Sequence, residues 1–239
     1  MSVREYLKRN ISDYFYALAF VLAVSFFLSQ SPVPVVSVQE QASLPIIILD
    51  PGHGGSDGGT QTENGVLESG LNLEIGTRLS DLMKLMGIEC TMTRTSDVSL
   101  DTEGTTVREK KKSDLRNRVQ AVNAVENGIL ISIHQNHFPQ GQYSGPQVFY
   151  AQTKGSEEFA QQMQTAMNAA LAPKSNRMCK SAQGVYLMEH ISRPGILIEC
   201  GFLSNLEEAE KLQSSEYQKK LAGVIACVVS DHLLRSSIG

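Results

Sequence analysis

The stretch Leu44-Pro45-Ile46-Ile47-Ile48-Leu49-Asp50-Pro51-Gly52-His53-Gly54-Gly55 decides how the chain is read. Its unbroken aliphatic run, without polar alternation, suits a strand covered on both faces, as in a parallel sheet between helix layers. Pro45 fits the entrance of such a strand, where no ladder donor is needed. The run stops at Asp50 and opens into a glycine-rich loop, which lets the backbone turn sharply and come close to a bound group. His53 therefore sits where a strand runs out. No Gly-Lys-Ser/Thr follows, so the loop is not a P-loop.

Working outward, Leu71, Ile75, Leu79, Leu82 and Met86 recur at spacings of three and four and are closed by Gly87, which predicts a helix over 71–86. A strand is expected over 88–93, then a polar loop to about Lys112. A helix over 114–125 would carry Leu115, Val119, Val122 and Val125 on one side, and Gly128 introduces a strand over 129–134. Further strands are expected over 147–150, 184–188 and 196–200, with helices over 157–171 and 217–234. This rhythm predicts the α/β class: a single domain with a largely parallel central sheet of about six strands, flanked by helices on both faces. Residues 44–239 are assigned to that domain.

Composition narrows the function classes. The chain is 41% hydrophobic and 19% charged, as in an ordinary globular protein. A net charge of -4 with one short basic cluster, 108–112, does not fit a nucleic-acid binder, and the cluster reads as a solvated loop or helix end. Cys90, Cys179, Cys200 and Cys227 show no CxxC spacing, so neither a structural zinc knot nor a disulfide is expected. Cys90, Cys200 and Cys227 read as small core residues, while Cys179 lies in a polar stretch. At the N-terminus, Arg4, Lys8 and Arg9 precede an apolar run over 14–28, the layout of an export signal. We read residues 1–30 as a signal anchor, with a cleaved signal peptide as the alternative. Residues 31–43, with Pro32 and Pro34, read as a linker. Either reading attaches the chain to, or carries it across, a membrane and puts the rest outside the cytoplasm.

The chemistry gathers where strands end. His53 follows the first strand, His134 closes the third in Ser132-Ile133-His134-Gln135-Asn136, and Glu199 ends the last. In open α/β sheets the active crevice lies at the carboxyl ends of the strands, so residues distant in sequence converge there. Two imidazoles and a carboxylate with an open fourth position make a catalytic zinc set, and zinc makes water a nucleophile near neutral pH. A further carboxylate, Glu199, would then move protons. Taken singly, His53 and His134 also read as ordinary loop and strand-end histidines, and Glu68 as a first-turn helix charge. Spacing does not choose among Glu63, Glu68 and Glu74.

Four segments in order, Leu49 through Gly55, Thr93-Arg94, Ser132 through Asn136, and Glu199-Cys200-Gly201-Phe202-Leu203-Ser204-Asn205, resemble the zinc-dependent N-acetylmuramoyl-L-alanine amidases. The resemblance spans about residues 47–234. It implies a Zn2+ ion held by His53, Glu68 and His134, with Glu199 as the catalytic residue. It also implies hydrolysis of the amide between muramic acid and L-Ala of peptidoglycan. A narrower resemblance, to the germination-specific amidases of spore formers, rests on Asp101-Thr102-Glu103-Gly104-Thr105, on Asp114 through Val119 and on Gly184-Val185-Tyr186-Leu187-Met188. It implies work in spore cortex maturation toward muramic-δ-lactam, needed for germination. It further implies a place in the forespore intermembrane space or cortex, and an activating lipoprotein partner of the kind some relatives need. Two other readings use the same residues: a zinc peptidase cutting stem peptides, and a non-catalytic wall-binding module. His137 stands where that family has a small residue and reads as a rim residue contacting substrate. Arg94 reads as a structural partner for carboxylates, and His190 and His232 as loop and helix-surface residues.

Overall fold

The computed structural model describes residues 44–236. The N-terminal anchor or signal expected over 1–30 and the linker expected over 31–43 lie outside the described residues. In chain order the elements are β1 (Ile46–Pro51), α1 (Glu68–Leu85), β2 (Cys90–Met92), α2 (Val107–Asn123), β3 (Gly128–Asn136), β4 (Gln147–Tyr150), α3 (Ser156–Leu171), β5 (Lys180–Ser181), α4 (Tyr186–His190), β6 (Gly195–Phe202), α5 (Leu206–Gln213) and α6 (Ser215–Ser236).

The strands form one six-stranded sheet in the order β2-β1-β3-β6-β4-β5. β2, β1, β3 and β6 are mutually parallel. β4 runs antiparallel to β6 and carries β5 parallel to itself. Helices cover both faces, as the alternation of elements requires. Ile47, Leu49, Ile131, Ile133, Ile196 and Ile198 pack on one face with Ile75 and Leu79 of α1, Met163 of α3 and Leu221 and Ile225 of α6. On the other face, Ile48, Leu130 and Leu197 pack against Val122 of α2 and Leu187 and Met188 of α4. The β1 run is thus apolar toward both layers because both layers are covered. Each fully buried aliphatic side chain contributes about 1.5–3 kcal/mol to that burial.

Four elements depart from expectation. α2 starts at Val107, earlier than expected, because Thr106 and Glu109 form a capping box: the Thr106 hydroxyl accepts from Glu109 N, and the Glu109 carboxylate accepts from Thr106 N. The basic cluster is therefore helical. The stretch expected as a strand over 184–188 is the short helix α4, and the edge strand is Lys180–Ser181 instead. Leu187, Met188 and Ile191 bury together at helical spacing, and a run this short does not distinguish the two periods. α5 was not anticipated; the Asn205 side chain caps it by accepting from Glu208 N at 3.1 Å. All four cysteines are free. Cys200 is buried as expected, Cys90 and Cys179 are half-buried, and Cys227 is exposed rather than in the core. Among the described residues no helix is long and apolar enough to cross a membrane.

Candidate metal centre and active site

β1 ends at Pro51, and the chain then leaves the sheet through a loop held from several sides. Gly52 N donates to Ile133 O at 3.0 Å, keeping the loop on the end of β3. His53 takes a positive φ of 61°. A non-glycine residue there stores strain of order 1 kcal/mol and persists only when its surroundings over-determine it. Two arginines do so. Arg94, buried, donates to the carbonyls of Pro51 (2.8 Å), Gly52 (3.0 Å), Ser69 (2.8 Å) and Ser96 (3.0 Å). Arg118 donates to Pro51 O at 3.0 Å and His53 O at 2.7 Å. Gly54 and Asp57 exchange backbone hydrogen bonds of 2.8 and 3.1 Å and close the turn. Arg94 is structural, as expected, but its hydrogen-bond partners are carbonyls. The carboxylates go to Arg118, which holds Asp50 Oδ1 at 2.7 Å and Asp114 Oδ2 at 2.8 Å.

Glu68, the first residue of α1, lies between the two motif histidines. Its Oε2 is 3.3 Å from His53 Nε2 and its Oε1 is 3.0 Å from His134 Nδ1. The imidazole rings meet edge to face at 5.0 Å. Thr60 N, Gln135 N and Asn72 Nδ2 donate to the same carboxylate at 3.0, 3.1 and 3.2 Å, which fixes its orientation. Two glycines make the room. A Cβ on Gly52 would lie 2.1 Å from His134 Cε1, and one on Gly59 would lie 2.5 Å from Glu68 Oε2.

The donor set fits a zinc ion. One potential ligand atom from each of His53, Glu68 and His134 falls within 4.8 Å of the others. Tetrahedral zinc with bonds of about 2.0–2.1 Å needs ligand atoms about 3.3 Å apart, close to the carboxylate–imidazole separations here. Neither Glu63 nor Glu74 belongs to this group.

The electrostatics bind the group together. Burial raises the Glu68 carboxyl, but the two imidazoles outweigh it and hold the group well below the usual carboxylate range. Burial disfavours the His53 imidazolium, yet Asp57 and Glu68 push its pKa up to about 9. Asp57 was missed by sequence reasoning. Its Oδ2 lies 3.0 Å from His53 Nδ1, at ion-pair distance though not aligned for a hydrogen bond, and 3.0 Å from Lys111 Nζ. The available signal was its position four residues after His53 in the same glycine-rich loop.

Glu199 pairs with His134 across the β3–β6 ladder, just before the register shift at Asn136. Adjacent strands lie about 4.8 Å apart, so the two side chains leave the sheet as neighbours. Glu199 Oε2 is buried without a hydrogen-bond partner. Burial, aided by the Glu68 charge and opposed by the two histidines, pushes its carboxyl up to about 7. A carboxyl of that pKa can take up and release a proton near neutrality. His137 lines a cavity of about 780 Å3 with Gln61, Glu63, Ser204 and Asn205. His190 stacks on Tyr186 at the end of α4, and His232 is on α6 against Phe159; neither joins the site.

Comparison with known proteins shows the family. A family model described as N-acetylmuramoyl-L-alanine amidase matches residues 47–231. The germination-specific N-acetylmuramoyl-L-alanine amidase of Bacillus subtilis (strain 168) is 41% identical over 182 residues, 75% of this chain and 76% of that protein. Among solved structures, the CwlD amidase from Clostridioides difficile, in complex with the GerS lipoprotein, superposes with a TM-score of 0.75 at 34% identity. That match covers 80% of this chain and 99% of the CwlD chain. An N-acetylmuramoyl-L-alanine amidase from Clostridium difficile 630 follows at a TM-score of 0.69 and 29% identity, covering 80% and 97%. The chain belongs to the N-acetylmuramoyl-L-alanine amidase family and is a hydrolase of peptidoglycan.

Proposed function

We propose that His53, Glu68 and His134 hold Zn2+, that Glu199 is the catalytic carboxylate, and that the enzyme trims spore cortex peptidoglycan. The observation that carries the catalytic reading is the meeting of Glu68 with both motif histidines at 3.0–3.3 Å beside the half-buried Glu199, whose Oε2 has no hydrogen-bond partner. When bound, zinc supplies a Lewis acid that polarises the scissile carbonyl and lets water attack near neutral pH. The chain's own residues do the rest. Glu199 takes the proton of the attacking water and returns it to the L-Ala nitrogen as the amide breaks, so its neutral and charged forms must both be accessible near pH 7. Asp57, held by Lys111, keeps the His53 ring turned so that Nε2 faces Glu68. The backbone donors on Glu68 fix its carboxylate between the histidines, so little reorganisation accompanies binding. His137 and the cavity it lines offer polar groups to the substrate beside the reacting bond.

The cortex role is supported by the identity to the germination-specific relative, which favours stripping of muramic acid ahead of muramic-δ-lactam formation. Export through residues 1–30 is part of this reading, as is an activating lipoprotein, since the CwlD relative is seen with one. The test is digestion of cortex-type peptidoglycan by the full chain, with product masses read with and without a chelator. Muramic acid freed of its whole peptide, in a chelator-sensitive reaction, is the expected result. Cleavage inside the stem peptide, or activity that survives rigorous metal removal, would overturn it. For the biological role, a spore former lacking this chain should build cortex without muramic-δ-lactam. Normal lactam content would refute the cortex assignment.

A further inference from the structure

Of the basic cluster of α2, only Lys111 has entered the chemistry described so far, through Asp57, yet the cluster walls a cavity. Arg108, Lys111, Lys112, Leu115 and Tyr186 enclose about 300 Å3 where α2 and α4 face each other. We propose that this cavity binds the carboxylate-bearing stem peptide, the leaving side of the substrate. The proposal rests on the catalytic centre being the one assigned above.

Position supports it first. Lys111 Nζ is 3.0 Å from Asp57 Oδ2, which is 3.0 Å from His53 Nδ1, so the cavity wall begins two contacts from the proposed catalytic centre. An extended peptide advances at most about 3.3–3.6 Å per residue. The second stem residue, which bears the first free carboxylate, therefore lies about 7 Å from the scissile bond, the reach of this wall.

Charge supports it second. The chain carries a net charge of -4, so three cations around one cavity run against its overall balance. The side chains of Arg108 and Lys112 are exposed and make no ion pair or hydrogen bond among the described residues. Leu115 and the Tyr186 ring supply the apolar surface that an alanine methyl and aliphatic stems would cover. The larger cavity that His137 lines is built from the loop after β3 and from the loops before α1 and α5, helices of the opposite layer, and it carries Glu63 and Glu207. Those carboxylates would repel an anionic peptide but not a neutral sugar backbone, which leaves the basic cavity for the peptide.

The experiment uses the full chain, zinc-loaded, as the parent and as an Arg108→Glu/Lys112→Glu double variant. Two muropeptides serve as substrates, identical except that the second-residue carboxylate is free in one and amidated in the other. The double variant should raise KM for the free acid about tenfold and for the amide no more than about twofold, with kcat little changed. A Lys219→Glu/Lys220→Glu variant, equal in net charge but on α6, should leave both KM values where they were. Titration of the released peptide L-Ala-D-Glu-diaminopimelate into each protein by calorimetry gives a readout that needs no turnover. Weaker peptide binding only in the Arg108/Lys112 variant is expected. An unchanged KM, an equal rise for both substrates, or unchanged peptide binding would overturn the proposal. So would loss of lipoprotein binding with peptide binding intact, which would make this face a protein-docking surface. Failure of the parent to cleave either muropeptide, with peptide binding still lost in the variant, would count against the catalytic assignment and not against this site.

Discussion

Replacing Arg118 with Met should damage the fold strongly without removing a proposed metal ligand. Its side chain is 3% exposed and its partner Asp50 1%. The guanidinium donates to Asp50 Oδ1 (2.7 Å), Asp114 Oδ2 (2.8 Å), His53 O (2.7 Å) and Pro51 O (3.0 Å). Removing one partner of a buried pair leaves an uncompensated charge and costs about 3–5 kcal/mol. For a domain of this size that corresponds to a fall in Tm of about 6–20 °C. The loss should depend on pH in a definite direction. Burial raises the Asp50 carboxyl, but Arg118, with Thr93 and Ser132, holds it below its ordinary value. A depressed carboxyl contributes stability that is present above its unfolded pKa, about 3.9, and is lost as pH falls through the folded value. The gap between parent and Arg118→Met should therefore be widest near pH 7 and narrow below about pH 4 as Asp50 takes a proton. Urea unfolding at both pH values, with chelator present so that only the fold is read, measures it. A cost under about 1 kcal/mol, or one equal at both pH values, would refute the reasoning. Arg118→Lys should recover only part of the loss, because an ammonium cannot reproduce the fork to two carboxylates and two carbonyls.

Glu199→Gln should lower kcat by at least about 100-fold while zinc content per chain stays the same, read by product release and metal analysis. Loss of zinc in this variant would make Glu199 a ligand instead. Gly52→Ala places a Cβ 2.1 Å from the His134 ring. We expect a folded chain by circular dichroism whose zinc stoichiometry has collapsed; normal zinc binding would show that the loop can shift. Asp57→Asn should weaken zinc affinity about 10–100-fold in competition with a chromophoric chelator, because the carboxylate behind His53 is lost. An unaltered affinity would remove Asp57 from the positioning role.

The layered α/β class was legible because its signal is local. The aliphatic run from Ile46 to Leu49 and the spacing of Leu71, Ile75 and Leu79 each report how many faces of one element are covered. That His53, His134 and Glu199 gather at one place was legible for a related reason, since strand ends converge in this class whatever the sequence between them. The choice of Glu68 came only from resemblance to a family, because spacing alone allows three glutamates. Other features depend on which element lies beside which, and no local period encodes that. α2 looked amphipathic through Leu115, Val119 and Val122, yet its innermost residues are Ser113, Asp114, Arg118 and Val122. A polar stripe turns inward there because Asp50, sixty-eight residues earlier in the chain, needs a buried partner. Lys111 read as a solvated charge until α2 set it against Asp57, and α4 read as a strand until Leu187 and Met188 met Val122 across the sheet face. Burial and periodicity are properties of a segment, and the sequence by itself determined those. Pairing between charges distant in the chain is a property of the packed layers, and only the tertiary structure decided it.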